Sequence, residues 1–456
     1  MDFHDPGSIN ALHATSRKHG QEYVAPISLV GNENEQQPQI PPPAIFQTPE
    51  TAQAAEDEHN KMLPSIAHCA IHLELLEYFQ LLREAVIKSN QLDVLFDTLP
   101  RKKTTVSYIS HSSGRRVLSR TLLRPIKAHD STFRERRKEK WTRFVDCAYS
   151  RFSTWVVSID DDRKISGKDE VELDPKLVPP IDVLLVWHAF LMKPRLCLEW
   201  CRDKKILWVS QVDFPWEHIH SMVNQSNRSF QTPVKNAETF KKITHLEPDL
   251  LQCLIQGPKD GCTNSDQALS MQFLSPEKTR IANAMLDMIW KNHDEWVDLM
   301  CHFLWIRSPA VEFTLQGARD GYRQFFDLFA SNPTVGLTPT PDIELVWLTH
   351  QLSPSSFSMF SKTSVGRLVE HNVVPHDPDH IQALVSTERA FRARYGAAYR
   401  RCLCWDCQNL QRIARRTLSD NRDIHHFVQE SMREVAQHRA VERTRRSHRN
   451  LPISYQ

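Results

Sequence analysis

Residues 179–187 read PPIDVLLVW, and residues 339–347 read PTPDIELVW. A proline follows each tryptophan by seven positions, at Pro194 and Pro354, and the two copies lie 347 − 187 = 160 residues apart. Six identical positions, which include a tryptophan and two prolines, indicate an internal duplication. Two copies at this spacing predict a pseudo-repeat and not a stacked solenoid, whose repeats are about 20–50 residues long.

Each copy has the features of a helix that begins at its proline and aspartate. Proline fixes φ at a helical value, and an aspartate in the first turn interacts favourably with the helix dipole. Val183 and Trp187 share one helix face, as do Ile343 and Trp347. The later prolines start a second helix, for which Ser353 is the predicted N-cap in the second copy. The sequence therefore predicts a mostly α fold of two pseudo-repeated helical units, each with a Pro/Asp/Trp helix–turn–helix.

The low glycine content restricts the classes of function. The 456 residues contain 12 Gly and 27 Pro, and phosphate-cradling loops need glycine where the backbone approaches a ligand. The sequence contains no P-loop, dinucleotide-binding fingerprint or nucleophile elbow. Few glycines and many prolines favour helices joined by proline-containing linkers.

Charge and hydropathy patterns predict an intracellular protein. The formal net charge is +2, no apolar run approaches the roughly 18 residues of a membrane helix, and residues 1–20 show no secretory signal. The ten cysteines are therefore expected to be reduced thiols or metal ligands and not a disulfide framework. We expect a cytoplasmic or nuclear location without a membrane span.

Changes in composition divide the chain into five predicted segments. Residues 36–43 read QQPQIPPP within a polar region, and the last 46 residues contain ten Arg and five acidic residues. The segments are a disordered proline-containing tail (1–60), a first helical repeat unit (61–205), a connector (206–285), a second helical repeat unit with a cysteine cluster (286–410) and a basic C-terminal helix or tail (411–456).

The duplicated motif, YGAAY at 395–399 and CLCWDC at 402–407 together resemble the GRDP-like family (glycine-rich domain-containing protein-like, formerly a domain of unknown function). The resemblance covers residues 64–410 and is to the fungal form, without a glycine-rich tail. The family pattern places Trp-His-x-His in each copy. Here Phe190 replaces the second histidine of the first copy, and Leu348 replaces the first histidine of the second copy. The resemblance implies no established reaction.

The candidate site residues are the polar and aromatic residues of the motif. They are Asp182, Trp187, His188, Asp342, Trp347 and His350. Residues two apart on a helix point in nearly opposite directions, so Trp-His-x-His is a poor chelate. A buried, hydrogen-bonded core histidine is the favoured interpretation, and a metal ligand or acid–base group is the alternative.

Cys402, Cys404 and Cys407 form the predicted metal site. Three thiols within six residues can face one zinc ion, which would need a fourth Cys or His. Buried reduced thiols are the alternative interpretation. Zinc is therefore the one cofactor that the sequence suggests.

Three functional hypotheses follow. The absence of a recognisable catalytic set favours a non-enzymatic helical interaction or scaffold protein with protein partners. The first alternative is a metal-dependent (Zn or Fe) enzyme that uses the motif histidines and the clustered cysteines. The second is an RNA-associated protein that binds RNA or an anionic surface through the basic C-terminal segment.

Overall fold

The structure is a computed structural model, and its described residues lie in segments spread over most of the chain. They are residues 40–47, 62–99, 103–105, 108–113, 116–122, 126–128, 132–166, 172–224, 229–256, 279–332, 336–369, 371, 378–417 and 424–448. Within these segments the protein is mostly helical, which confirms the mostly α part of the predicted fold class. Among the described helices, none combines the length and the apolar character that crossing a membrane requires.

The helices fall on either side of a gap in the described residues. Those before it are α1 (Ile66–Lys88), α2 (Asn90–Leu95), α3 (Phe133–Ser166), α4 (Ile181–Leu191), α5 (Pro194–Lys204), α6 (Trp216–Ser221), α7 (Val234–Thr244) and α8 (Leu250–Gln256). Those after it are α9 (Arg280–Met288), α10 (Asp294–Phe303), α11 (Val311–Ser331), α12 (Pro341–Gln351), α13 (Pro354–Val365), α14 (Pro378–Tyr395), α15 (Trp405–Thr417) and α16 (Ile424–His448). A π-helical turn at Ile289–His293 joins α9 to α10.

The described strands are short and pair only locally. They are β1 (Lys103–Thr105), β2 (Tyr108–Ser113), β3 (Arg116–Leu122), β4 (Ile126–Ala128), β5 (Val223–Asn224) and β6 (Ser229–Phe230). The antiparallel pairs are β1 with β4, β2 with β3 and β5 with β6. The sequence predicts no strands, because pairs this short leave little hydrophobic periodicity to detect.

Side-chain caps and prolines set several helix starts. Ser65 accepts a hydrogen bond from the His68 N–H at the start of α1, and Thr279 does the same for the Ala282 N–H at α9. Helices α5, α12 and α13 begin with proline. Ser353 occupies the predicted N-cap position of α13. With φ −115° and ψ 79°, however, its side chain makes no capping bond within the described residues.

Each motif helix packs on the long helix that precedes it. In the first copy α4 lies against α3 and is followed by α5, and in the second copy α12 lies against α11 and is followed by α13. The Pro/Asp/Trp part of each copy therefore forms the predicted helix, and a turn connects this helix to the second one. The internal duplication itself stays a prediction.

One hydrophobic cluster extends through both motif copies. Its buried side chains run in sequence from Ile45 to Leu403. Ile45 belongs to a 3-10 turn, Pro43–Phe46, which packs on α1. These residues lie in the predicted disordered tail, so this part of the tail is ordered against the helices. Residues 1–39 and 48–61 lie outside the described residues.

Candidate functional site

The motif aspartates form buried ion pairs. The Asp182 Oδ2 accepts a 2.6 Å hydrogen bond from Nε of Arg151, whose two other nitrogens donate to the carbonyls of Glu247 and Pro248. Burial raises the pKa of the Asp182 carboxyl, and the adjacent guanidinium opposes that rise. In the first copy, Asp182 on α4 is therefore linked through Arg151 to α3 and to the segment after α7.

The second motif aspartate is paired by a residue from a different part of the fold. The Asp342 Oδ2 accepts a 2.8 Å hydrogen bond from Nη2 of Arg401, and its Oδ1 accepts one from the Thr340 hydroxyl at 2.6 Å. The guanidinium reaches Asp342 across Gly317 of α11, where a Cβ atom would lie only 2.9 Å from Nη1. Glycine at this position leaves the space that the ion pair needs.

Both motif tryptophans are core side chains. Trp187 is 0% exposed and packs against Trp155 of α3 and Phe214, with ring centroids 5.3 and 4.9 Å apart. Trp347 is 2% exposed and packs against Phe326 of α11 at 5.4 Å. Neither indole N–H has a hydrogen-bond acceptor among the described residues. The motif tryptophans therefore act through packing.

His188 occupies the middle of a buried chain of three imidazoles. Its Nε2 lies 2.7 Å from Nε2 of His72 on α1, and its Nδ1 lies 3.0 Å from Nε2 of His293 in the π-helical turn. The Nδ1 of His72 lies 2.8 Å from the hydroxyl oxygen of Thr349 on α12. All three imidazoles are at most 1% exposed. We call this set, with Thr349, the histidine chain; it joins four separate segments.

The hydrogen-bond network assigns a direction to the histidine chain. The Thr349 hydroxyl donates to the Leu345 carbonyl at 2.7 Å, so its oxygen accepts from Nδ1–H of His72. His72 Nε2 is then an acceptor, which requires His188 to donate from Nε2 and to accept at Nδ1 from Nε2–H of His293. These tautomers are assigned from the hydrogen-bond network, and they place one proton in each hydrogen bond of the histidine chain. The histidine chain ends at the Leu345 backbone carbonyl. A proton passed along the imidazoles could not leave the protein at that end.

The far end of the histidine chain lies beside a carboxylate. His293 Nδ1 has no hydrogen-bond partner among the described residues and is 3.9 Å from Asp294 Oδ1. Asp294 accepts a 2.6 Å bond from the Trp141 indole and lies 3.7 Å from an Arg83 nitrogen. The π turn places His293 in the core directly before α10 begins, and such turns are frequent at functional positions.

Burial keeps the imidazoles of His72 and His188 neutral. It lowers the pKa of His72 to about 3, with a smaller contribution from His293, and it lowers the pKa of His188 well below 6.5. A neutral imidazole has one donor and one acceptor, which is what a directional chain requires. The histidine chain is therefore a structural hydrogen-bond array at neutral pH.

His350, the histidine of the second motif copy, lies outside the histidine chain. Its Nδ1 is 3.1 Å from the Tyr322 hydroxyl and its Nε2 is 3.3 Å from the Ser356 hydroxyl. Burial lowers the pKa of His350 to about 3. Both motif histidines thus have hydrogen-bonded positions in the core.

Replacing Thr349 with valine tests the direction of the histidine chain. Thr349→Val keeps the side-chain shape but leaves the His72 Nδ1–H buried without an acceptor. We expect a loss of about 1–3 kcal/mol in the free energy of unfolding, measured by urea denaturation. Thr349→Ser keeps the hydroxyl and should be the more stable variant. A valine variant at least as stable as the serine variant would contradict the assigned bond.

The three cysteines of the predicted metal site lie together. The sulfur atoms of Cys402, Cys404 and Cys407 are within 4.8 Å of one another, and Cys402 Sγ is 3.3 Å from Cys404 Sγ. Cys402 is exposed, whereas Cys407 is buried in the first turn of α15. Among the described residues, no His, Asp or Glu joins this group of ligand atoms. The structure therefore does not bring the motif histidines to the cysteines.

A cleft of about 420 Å³ opens between the start of α6 and the start of α13. Its floor contains the buried rings of Phe214 and Trp216, and Trp216 lies 5.2 Å from the His72 ring, centroid to centroid. Its rim contains three exposed carboxylates, Glu172, Asp213 and Glu217. The cleft thus lies one aromatic ring away from the histidine chain.

One rim carboxylate is held in its charged form. The Glu217 carboxylate lies 3.1 Å from Nε2 of His68, and this hydrogen bond is the main cause that lowers the pKa of Glu217 to about 2. When all three are ionised, the rim carboxylates contribute a formal charge of −3.

Four arginines of the basic C-terminal segment are in internal ion pairs. Arg439 pairs with Asp406 and Arg445 with Glu77 of α1, while Arg412 pairs with Glu434 and Arg446 with Glu442. Glu77 also pairs with the buried Arg307, and these guanidiniums lower the pKa of Glu77 to about 2 against the effect of burial. Helix α16 is therefore docked on the fold by its charges.

The fold and its sites define a helical protein whose motif polar groups are bonded to other residues inside the core. Residues 275–359, which contain the second motif copy, match the family described as "Glycine-rich domain-containing protein-like" (GRDP-like). The chain is also similar to "Glycine-rich domain-containing protein 2" of Arabidopsis thaliana, with 24% identity over 208 residues. That alignment covers 44% of this chain and 23% of the relative, so the chain spans less than a quarter of the relative's length. No solved structure matches. The likeness to the GRDP-like family is thus shown for residues 275–359 of this chain.

Proposed function

We propose that this chain is a non-catalytic helical binding protein of the cytoplasm or nucleus, and that the cleft beside α6 receives a basic segment of a protein partner. The observation that carries the proposal is the acidic rim of the cleft above an aromatic floor. A lysine or arginine side chain would form ion pairs with the rim carboxylates and a cation–π contact with the aromatic rings of the floor.

The motif polar groups are bonded to other residues inside the core, which supports a binding role over a catalytic one. Catalytic acids, bases and ligands must reach a substrate. The carboxylates of Asp182 and Asp342 are instead paired with arginines, and His188 and His350 are hydrogen-bonded within the core. A helical body with a preformed charged cleft is suited to holding a partner.

A basic protein segment is favoured over RNA as the partner. The cleft rim repels phosphate, because all three of its carboxylates are exposed. At the C-terminus, part of the positive charge is already neutralised by Asp406, Glu77, Glu434 and Glu442.

Peptide binding to the cleft can be measured directly. The probes are a fluorescent peptide with alternating arginine and glycine and its glutamate counterpart, titrated with the full chain by fluorescence anisotropy. We expect the arginine peptide to bind the full chain and the glutamate peptide not to bind. Asp213→Asn combined with Glu217→Gln should raise the Kd for the arginine peptide about tenfold, since each rim charge contributes up to about 1 kcal/mol.

The matched control changes the same charge elsewhere on the surface. Glu295→Gln combined with Glu312→Gln alters two exposed carboxylates outside the cleft. The control variant should bind the arginine peptide as tightly as the unmodified chain, and binding should weaken with added salt. Equal losses in both double variants, or no binding by the unmodified chain, would overturn the proposal.

A further inference from the structure

We infer that Cys402, Cys404 and Cys407 bind one zinc ion through three thiolates, with the fourth coordination position open to solvent. This site is separate from the acidic cleft and does not depend on what the cleft binds.

The sulfur positions match the size of a zinc site. A tetrahedral zinc with Zn–S bonds of about 2.3 Å requires neighbouring sulfurs about 3.8 Å apart. The observed spacing includes one pair at 3.3 Å, and all three sulfurs lie within 4.8 Å of one another. A single ion can therefore contact all three after small side-chain rotations.

The backbone around the cysteines is held in place by side chains that are not ligands. The Trp305 indole N–H donates to the Leu403 carbonyl at 3.0 Å, and the Trp405 indole N–H donates to the Phe303 carbonyl at 2.9 Å. The Gln408 amide donates to the Cys402 carbonyl at 2.6 Å. These bonds order the segment before any ion arrives, which reduces the entropy that binding would otherwise remove.

The cysteine cluster lies at the start of a helix. Cys407 lies in the first turn of the 13-residue helix α15, and the Cys404 carbonyl accepts the Gln408 N–H of that turn. Metal coordination requires the thiolate form, so zinc binding would release the thiol protons. Three thiolates with a divalent ion leave a net charge of −1 near the surface.

The open position follows from the surroundings of the cluster. Among the described residues, no fourth Cys, His, Asp or Glu has a ligand atom in the group. Cys402 is exposed, so the fourth side of the ion would face solvent. A water molecule or an external ligand would complete the tetrahedron, as in zinc sites that keep an exchangeable position.

Metal content and cobalt substitution test the site. The full chain, purified without chelators, should carry about one equivalent of zinc by plasma mass spectrometry. After chelation, added Co²⁺ should give a thiolate-to-cobalt charge-transfer band that saturates at one equivalent and is abolished by zinc. Cys404→Ser and Cys407→Ser should each reduce retained zinc to background.

The control separates the cluster from general thiol chemistry. Cys253→Ser changes a half-buried cysteine on α8, outside the cluster, and should leave zinc content and the cobalt band unchanged. If a serine variant fails to fold, the chelated and reconstituted unmodified chain still decides the question. A folded chain that gives no charge-transfer band and retains no zinc would overturn the inference.

Discussion

Acidification from pH 7 to pH 5 is expected to lower the free energy of unfolding by about 2 kcal/mol for each of His72, His188 and His350, about 6 kcal/mol for the three together. Burial lowers the pKa of His72 and His350 to about 3 and that of His188 well below 6.5. Below pH 6.5 the unfolded chain therefore binds protons that the folded chain does not bind. The free energy of unfolding consequently decreases as the pH is lowered. Urea denaturation at a series of pH values measures the slope.

The buried Asp146 carboxyl has the opposite effect on the pH dependence of stability, so its contribution has to be removed. Burial raises the pKa of Asp146 to about 6, so this group takes up a proton in the folded state and offsets about 1 kcal/mol of the loss. Comparison of variants removes the offset. His350→Gln should flatten the pH dependence by about 2 kcal/mol, whereas Tyr322→Phe, which removes a partner but keeps the imidazole, should retain it. Identical slopes in these two variants would show that His350 is not buried and neutral.

Trp187→Ala and Trp347→Ala are each expected to lower the free energy of unfolding by about 3–5 kcal/mol. Each ring is enclosed by other aromatic side chains, and alanine would leave a cavity where a helix meets the long helix before it. Chemical denaturation monitored by circular dichroism gives the values.

The control for the tryptophan variants is an exposed apolar side chain. Leu207 is 55% exposed, and Leu207→Ala should change stability by less than about 0.5 kcal/mol. Melting curves for the two tryptophan variants that match the curve for Leu207→Ala would contradict the packing role of the motif.

The helical fold class could be predicted because the motif carries its own local signals. Proline and aspartate mark the starts of α4 and α12, and the four-residue spacing of Trp187 from Val183 marks one face. The clustering of the three cysteines was also predictable, because they lie within a stretch of only six residues. Such features act over one or two helical turns, which is the range that sequence patterns describe.

The partners of the motif residues could not be predicted, because they come from distant parts of the chain. His72 and His293 lie 116 and 105 residues from His188, and Arg401 lies 59 residues from Asp342. His72 and His293 each precede a glutamate by two positions, a pattern too common in this chain to single them out. Only the packing of α1 and the π turn against α4 brings these imidazoles together.

The protonation of the histidine chain is the most direct test of the claim that the motif serves the core. Long-range ¹H–¹⁵N correlation spectra of the full chain labelled with ¹⁵N-histidine report the tautomer of each imidazole, assigned through single His→Gln variants. At pH 7 we predict neutral rings for His72 and His188, with the proton on Nδ1 of His72 and on Nε2 of His188, and a proton on Nε2 of His293. Imidazolium shifts, metal-induced shifts or exchange-averaged tautomers for His72 and His188 would contradict the account.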